Sequence, residues 1–231
     1  QNDMPLFYQK LKESLTYPMA WRNSSIRNFE KWREGARKVL LDCMQPAPPV
    51  AAFDKEVIDT EQRNGYRAEK ILFSVSEYSR VPAYLLVPDG NGPFPAVLLL
   101  HDHGAHFSIG KEKMVRPFGV EASVLADADD WAEKCYDKQY VGDYLASHGY
   151  VVLAVDALFW GERGRKEGVR YDSQQALAAN MLQMGMSWGA LIAWDDIRSA
   201  EFLASLPMVH KEKIGTMGFS MGAHRAWMVS A

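Results

Sequence analysis

The sequence predicts an α/β fold: a doubly wound, mostly parallel sheet with helices on both faces, preceded by an N-terminal helical segment. Three observations carry that expectation. Residues 96–100 (Ala-Val-Leu-Leu-Leu) and 151–155 (Val-Val-Leu-Ala-Val) are apolar without alternation, as strands covered on both faces are. Helical stretches alternate with these and with a third strand at 214–217, an order that right-handed crossovers turn into an open sheet. The first 45 residues, by contrast, carry a helical pattern and no strand pattern.

In chain order, residues 1–45 are expected to be helical. Asn23, Ser24 and Ser25 offer N-caps, and Ile26, Phe29, Ala36, Val39, Leu40 and Cys43 recur near the 3.6-residue period. Residues 45–50 (Gln-Pro-Ala-Pro-Pro-Val) stop the helix, because proline lacks the amide donor and clashes with the preceding turn. Strands are then expected around Val57–Thr60, Ile71–Val75 and Val81–Val87, with turns at Asn64-Gly65 and Ser79-Arg80. Residues 88–95 form a loop before the 96–100 strand. A short helix at 140–148 is stopped by Gly149, residues 174–206 hold one or two helices ended by Pro207, and a helix begins at Gly222. No internal repeat and no low-complexity tract interrupts this pattern.

Composition narrows the function classes. The 231 residues are 48% hydrophobic and 24% charged, with 26 Lys+Arg against 29 Asp+Glu and a formal charge of −3. That is too apolar for a disordered chain and lacks the basic stripe of a nucleic-acid partner. No apolar run approaches the roughly 18 residues that a membrane span needs. Cys43 and Cys135 have no metal-type spacing and could be free or bridged. The chain opens on Gln1, which a cleaved secretory leader or a trimmed start explains equally.

The motif that carries chemistry is Gly218-Phe219-Ser220-Met221-Gly222, a G-x-S-x-G pentapeptide between the 214–217 strand and the helix that follows. A nucleophile elbow needs that strand–turn–helix setting. The turn holds the serine at positive φ and crowds the backbone two positions either side, so glycine is required there. It also places Ser220 Oγ at a helix N-terminus, where free amides favour negative charge, and points the Met221 N–H at a developing oxyanion. A plain Gly-Ser turn is the bland alternative.

The second oxyanion donor is expected from residues 101–106 (His-Asp-His-Gly-Ala-His), directly after the 96–100 strand. Together with residues 80–88, 147–156 and 160–164 and the run into Gly218, these segments resemble an α/β-hydrolase of the branch shared by dienelactone-hydrolase-like proteins and bacterial acetyl xylan esterases. The resemblance covers roughly residues 55–231. In that family the loop usually reads His-Gly-x, with the N–H of x as donor. Here the triplet is His101-Asp102-His103, so aspartate replaces the glycine and the donor role falls to His103. The resemblance implies residues 1–50 as a helical extension packing on the core and 51–231 as an α/β-hydrolase domain lacking its last strands. It further implies a serine esterase that forms an acyl-enzyme on Ser220, acts on a small-molecule or carbohydrate ester and needs no cofactor. An extracytoplasmic location and a bacterial source follow from the same likeness.

In this superfamily the triad runs serine, acid, histidine along the chain. Only residues 221–231 follow Ser220, so an Asp or Glu and a His are expected beyond residue 231, this chain alone is expected to be inactive, and the 214–217 strand is expected as an exposed sheet edge. None of His101, His103, His106, His148, His210 or His224 follows a later strand, and each reads as structural rather than as the base. Two alternatives stay open. His101, His103 and His106 are close to the H-x-H-x-D-H signature of metal-dependent hydrolases, with Ala105 where the aspartate belongs. A non-catalytic hydrolase-like binding domain is the other.

Four further features are weighed on both sides. Asp195, Asp196, Arg198 and Glu201 read as a solvated or locally paired helix face. Met181, Met184, Met186 and Trp188 read as core or as a pocket lining. Asp156 orders the adjoining loop by family resemblance, and Glu162 and Arg163 rim the pocket or pair with each other. Residues 107–137 form a long insertion, placed to cover the site or simply packed on the surface.

Overall fold

The computed structural model describes residues 5–165 and 168–231. Residues 1–4 of the expected N-terminal helix lie outside them. The chain divides into two units, Gln1–Met44 and Gln45–Ala231.

In the first unit, α1 (Leu6–Ser14) and α2 (Phe29–Met44) flank a 3-10 turn at Trp21–Asn23. Helix α2 starts later than residues 23–25 would have it. Asn28 caps it, its Oδ1 accepting the Lys31 N–H at 2.9 Å, because an Asn side chain satisfies a first-turn amide well. Trp21 packs edge-on against Phe29 and Trp32 at 5.5 and 5.3 Å around that start, and the Trp32 indole donates to the Met19 carbonyl at 3.1 Å.

The second unit holds a six-stranded sheet of order β1-β2-β3-β5-β4-β6. Its strands are β1 (Glu56–Arg63), β2 (Tyr66–Ser76), β3 (Ser79–Pro88), β4 (Phe94–Leu100), β5 (Val151–Val155) and β6 (Val209–Gly218). The sheet is mixed: β1, β2, β3 and β5 pair antiparallel in succession, and β4 pairs parallel with both β5 and β6. The expected turn at Asn64-Gly65 is present, whereas the β2–β3 turn is Glu77-Tyr78 and Ser79-Arg80 already belong to β3.

The unbroken apolar runs are explained by two buried faces. Leu85, Leu98, Leu100, Val151, Leu153 and Val155 point into one core layer, where Phe202 and Leu203 of α6 (Trp188–Ser205) and Ala226 of α7 (Met221–Ser230) meet them. Tyr84, Leu86, Leu99, Val152 and Ala154 point the other way, onto Met114, Val115, Phe118 and Ala146 of α4 (Val141–Ser147). Alternate residues of one strand thus feed opposite layers, and neither set can be polar. Strand β6 begins at Val209, five residues before the expected start, and is the sheet edge among the described residues; from Lys211 on it is largely half-buried or exposed.

The 107–137 stretch is not a plain loop. It contains a 3-10 turn, Lys111–Lys113, and a helix α3 (Ala122–Cys135). The 174–206 region is two helices, α5 (Tyr171–Gln183) and α6, parted at Gly185, whose φ is +72°. Both cysteines are free thiols. Among the described residues no helix is long and apolar enough to cross a membrane.

Leu98 is fully buried at the centre of the first layer, beside Leu153 of β5 and Thr216 of β6 in register. Leu98→Ala is expected to cost about 3–5 kcal/mol in denaturant unfolding, the range for a cavity that the surrounding strands cannot close.

Candidate active site

Strand β6 ends at Gly218 and α7 starts at Met221, so a two-residue turn reverses the chain. Within it Ser220 adopts φ +54° and ψ −118°, a strained conformation that side chains other than glycine rarely occupy. Its cause is close packing. A Cβ on Gly222 would lie 1.8 Å from the Leu100 carbonyl oxygen, and one on Gly218 would lie 2.3 Å from the Gly222 carbonyl. The first turn of α7 therefore rests directly on the end of β4, and the serine is turned outward. Ser220 is exposed and its hydroxyl makes no capping bond to the helix. The Met221 amide is the first of the helix, a position at which helix geometry supplies no acceptor.

Because Leu100 pairs with Gly218 in the parallel register, the loop after β4 leaves the sheet beside the elbow. His101 is buried there. Its Nε2 accepts the Ala157 amide at 3.1 Å, so Nδ1 carries the proton and donates to the Asp102 carbonyl at 2.8 Å. Burial, with the cations Arg225 and Lys113 nearby, holds this imidazole neutral well below the usual histidine range. Asp102 is also buried, its carboxylate accepting from the Trp131 indole at 3.2 Å and the Tyr136 hydroxyl at 2.8 Å. His103 is half-buried; its Nδ1 accepts the Ala105 amide at 2.9 Å, and its Nε2–H donates to Gln174 at 2.8 Å. The loop then turns through Gly104 and Ala105 at φ +56° and +50°. Ser220 in the β6–α7 turn, Met221 at the start of α7 and His103 in the loop after β4 thus follow the same end of the parallel strands, where open α/β sheets bind ligands.

A family model described as the abhydrolase family matches residues 7–231. The chain belongs to that family. Among known proteins this abhydrolase is similar to "Putative hydrolase YtaP" of Bacillus subtilis, at 29% identity over 86% of the chain. It is also similar in structure to a "putative acetyl xylan esterase" from Bacteroides fragilis, with a TM-score of 0.78 at 24% identity over 99% of the chain. A glucuronoyl esterase from Solibacter usitatus shares the fold at TM-score 0.56, 16% identity and 93% of the chain. The abhydrolase spans 60% of the Bacillus protein's length, 57% of the Bacteroides chain and 60% of the Solibacter chain.

The structure does not gather the three loop histidines as metal ligands. His101 and His103 have both ring nitrogens engaged, and His106 points its Nε2 at Asp127 at 2.6 Å while stacking on Trp131. His148 bonds the Tyr144 carbonyl, His210 lies in β6, and His224 packs on Trp227. The carboxylates that do converge are Glu112, Asp156 and Glu162. The Lys111 ammonium sits among them, at 2.6, 2.9 and 2.7 Å, in the place a cation would take. These carboxylates keep the lysine charged, well above its ordinary range, although burial opposes them. Burial pushes Asp156 up to about 6, with Lys111 pulling it down. Asp156 also accepts the Lys111 and Glu162 amides at 2.7 and 3.2 Å, pinning the 3-10 turn to the loop after β5.

Several expectations are corrected here. Glu162 pairs with Lys111 and Lys70, and Arg163 with Asp195, rather than with each other. The charge cluster on α6 is locally paired at Arg198 and Glu201, as expected, but its two aspartates are not a solvated face. Asp196 is buried and takes both ends of the Arg225 guanidinium, at 2.8 and 2.6 Å, which ties α6 to the nucleophile helix. Met184 and Met186 are exposed and line no core, while Trp188 stacks on Trp160 at 5.8 Å. Lys111 and Lys113, both fully buried beneath these loops, were not singled out in the sequence, which carries no signal of their burial.

Steric crowding at the elbow gives a direct check. Gly222→Ala is expected to cost about 3 kcal/mol or more by overpacking against β4. Gly189→Ala, whose new methyl would meet only Ser187 Oγ at 3.7 Å, is expected to stay within about 1 kcal/mol of wild type or to gain stability in denaturant unfolding.

Proposed function

We propose that this abhydrolase is a serine-dependent carboxylic ester hydrolase that works through an acyl-enzyme on Ser220 and acts on acylated carbohydrate. The single observation that carries the reading is the exposed serine at positive φ between β6 and α7, beside the loop that follows β4. Ser220 Oγ attacks the ester carbonyl, and the new oxyanion is held by the Met221 and His103 amides. Collapse of the tetrahedral species expels the alcohol, and water then releases the acid from Ser220. Proton transfer falls to a histidine paired with an Asp or Glu, which we place in sequence beyond residue 231.

Exposed aromatic rings support a sugar-bearing substrate. Phe219 precedes the serine, with Tyr136 packed edge-on at 5.9 Å, and Tyr171 stands 5.9 Å from the His103 ring. Such faces offer an apolar wall with polar tips, as ligand sites do. The names of the esterase neighbours agree with that class.

The test uses the full-length protein with a fluorophosphonate probe, p-nitrophenyl acetate and acetylated xylo-oligosaccharides. Wild type is expected to be labelled at Ser220 and to release acetate. Ser220→Ala should lose the label and roughly 10³-fold or more in kcat. Hydrolysis that survives Ser220→Ala and is lost to a chelator would contradict the serine mechanism in favour of a metal. A folded protein with neither label nor turnover would contradict it in favour of a binding role.

A further inference from the structure

Lys113 is a fully buried cation whose nearest acceptors are not side chains. Its Nζ donates to the backbone carbonyls of Asp102 and His103 at 3.1 and 3.2 Å, and the Asp102 carboxylate is farther away at 3.4 Å. That carboxylate already has two other donors, Trp131 and Tyr136. Neutralising Asp102 is therefore not the whole of what Lys113 does. The Trp131 ring lies over the ammonium at 5.0 Å and completes its enclosure.

Those two carbonyls belong to the consecutive peptides whose N–H groups are His103 and Gly104. A trans peptide points its N–H opposite its C=O. With both carbonyls turned down onto Lys113, the His103 amide is turned away from the buried side of the loop. Further donors hold the same carbonyls: neutral His101 Nδ1–H on Asp102, and the Trp160 indole and His106 amide on His103, the latter two at 3.2 Å. A charged donor on the carbonyl end of an amide polarises it and makes its N–H a stronger donor, the more so away from water.

We propose that Lys113 is a positioning residue for the oxyanion hole: acting through the Asp102–His103 peptide, its ammonium orients and strengthens the His103 N–H. This inference rests on Ser220 being the nucleophile. It also gives a role to the aspartate at position 102, directly before the donor residue. An aspartate there supplies the buried carboxylate that helps to hold the lysine beneath the loop.

The test compares wild type, Lys113→Met and Lys113→Gln in the full-length protein. Folding is followed by near-ultraviolet circular dichroism and melting. Turnover and inhibition by a boronic acid, whose adduct on Ser220 puts an oxygen in the hole, are the readouts. Lys113→Met is expected to lower kcat roughly 10- to 100-fold, less than outright loss of a donor, with KM unchanged within about twofold. Inhibition by the boronic acid should weaken by the same factor as kcat. Lys113→Gln, which keeps an N–H but no charge, should fall between, and supplies the same comparison if the methionine variant does not fold. A folded variant with wild-type kcat and boronate affinity overturns the proposal, as does a loss confined to KM. Hydrolysis that survives Ser220→Ala, or a wild-type enzyme that ignores the boronic acid, overturns the serine reading instead.

Discussion

The contact on which the rest of the structure depends is the approach of Gly222 to the end of β4. Backbone meets backbone there with no room for a methyl group. That approach brings the nucleophile helix down onto the sheet, and the chain can reverse from β6 into α7 over two residues only by forcing Ser220 to positive φ. The strain, of order 1–3 kcal/mol for such a residue, is sustained because both flanking elements are fixed elsewhere. Strand β6 is held in parallel register along β4, and α7 is tethered to α6 by the buried Arg225–Asp196 pair.

Buried cations recur at this end of the sheet: Arg225 and Lys113 hold the loop after β4, and Lys111 the loop after β5. Arg225 binds Asp196 and reaches the His101 carbonyl at 3.4 Å. Lys111 gathers Asp156, Glu112 and Glu162 and so joins the 3-10 turn to the loop after β5. Lys113 lies under the loop after β4. Buried ion pairs are poor sources of net stability, because desolvation offsets the attraction. Their value here is geometric. The loops after β4 and β5, which flank one exposed hydroxyl, are each anchored by a buried charge.

The parts of this arrangement that were legible in the sequence are those set by local sterics or by burial on two faces. The unbroken apolar runs at 96–100 and 151–155 read as doubly covered strands, and the glycines flanking Ser220 pointed to a crowded turn over a plain one. What escaped depends on partners distant in sequence. Asp196 finds Arg225 29 residues on, so its helix looked solvated. Lys111 and Lys113 belong to a residue type that is rarely buried, and only the fold shows what surrounds them. Helix α3 within the 107–137 insertion escaped because it buries only two alanines, Ala128 and Ala132, which give a faint apolar stripe. Met184 and Met186, apolar and near a helix end, gave no sign that they would be exposed.

The most direct measurement on the central claim is a crystal structure of the full-length protein after reaction with a small alkyl phosphonate. The account predicts phosphorus bonded to Ser220 Oγ, with one phosphonyl oxygen within about 2.7–3.1 Å of both the Met221 and His103 amide nitrogens. A phosphonate carried by another residue, or one whose oxygens face away from both amides, would contradict it.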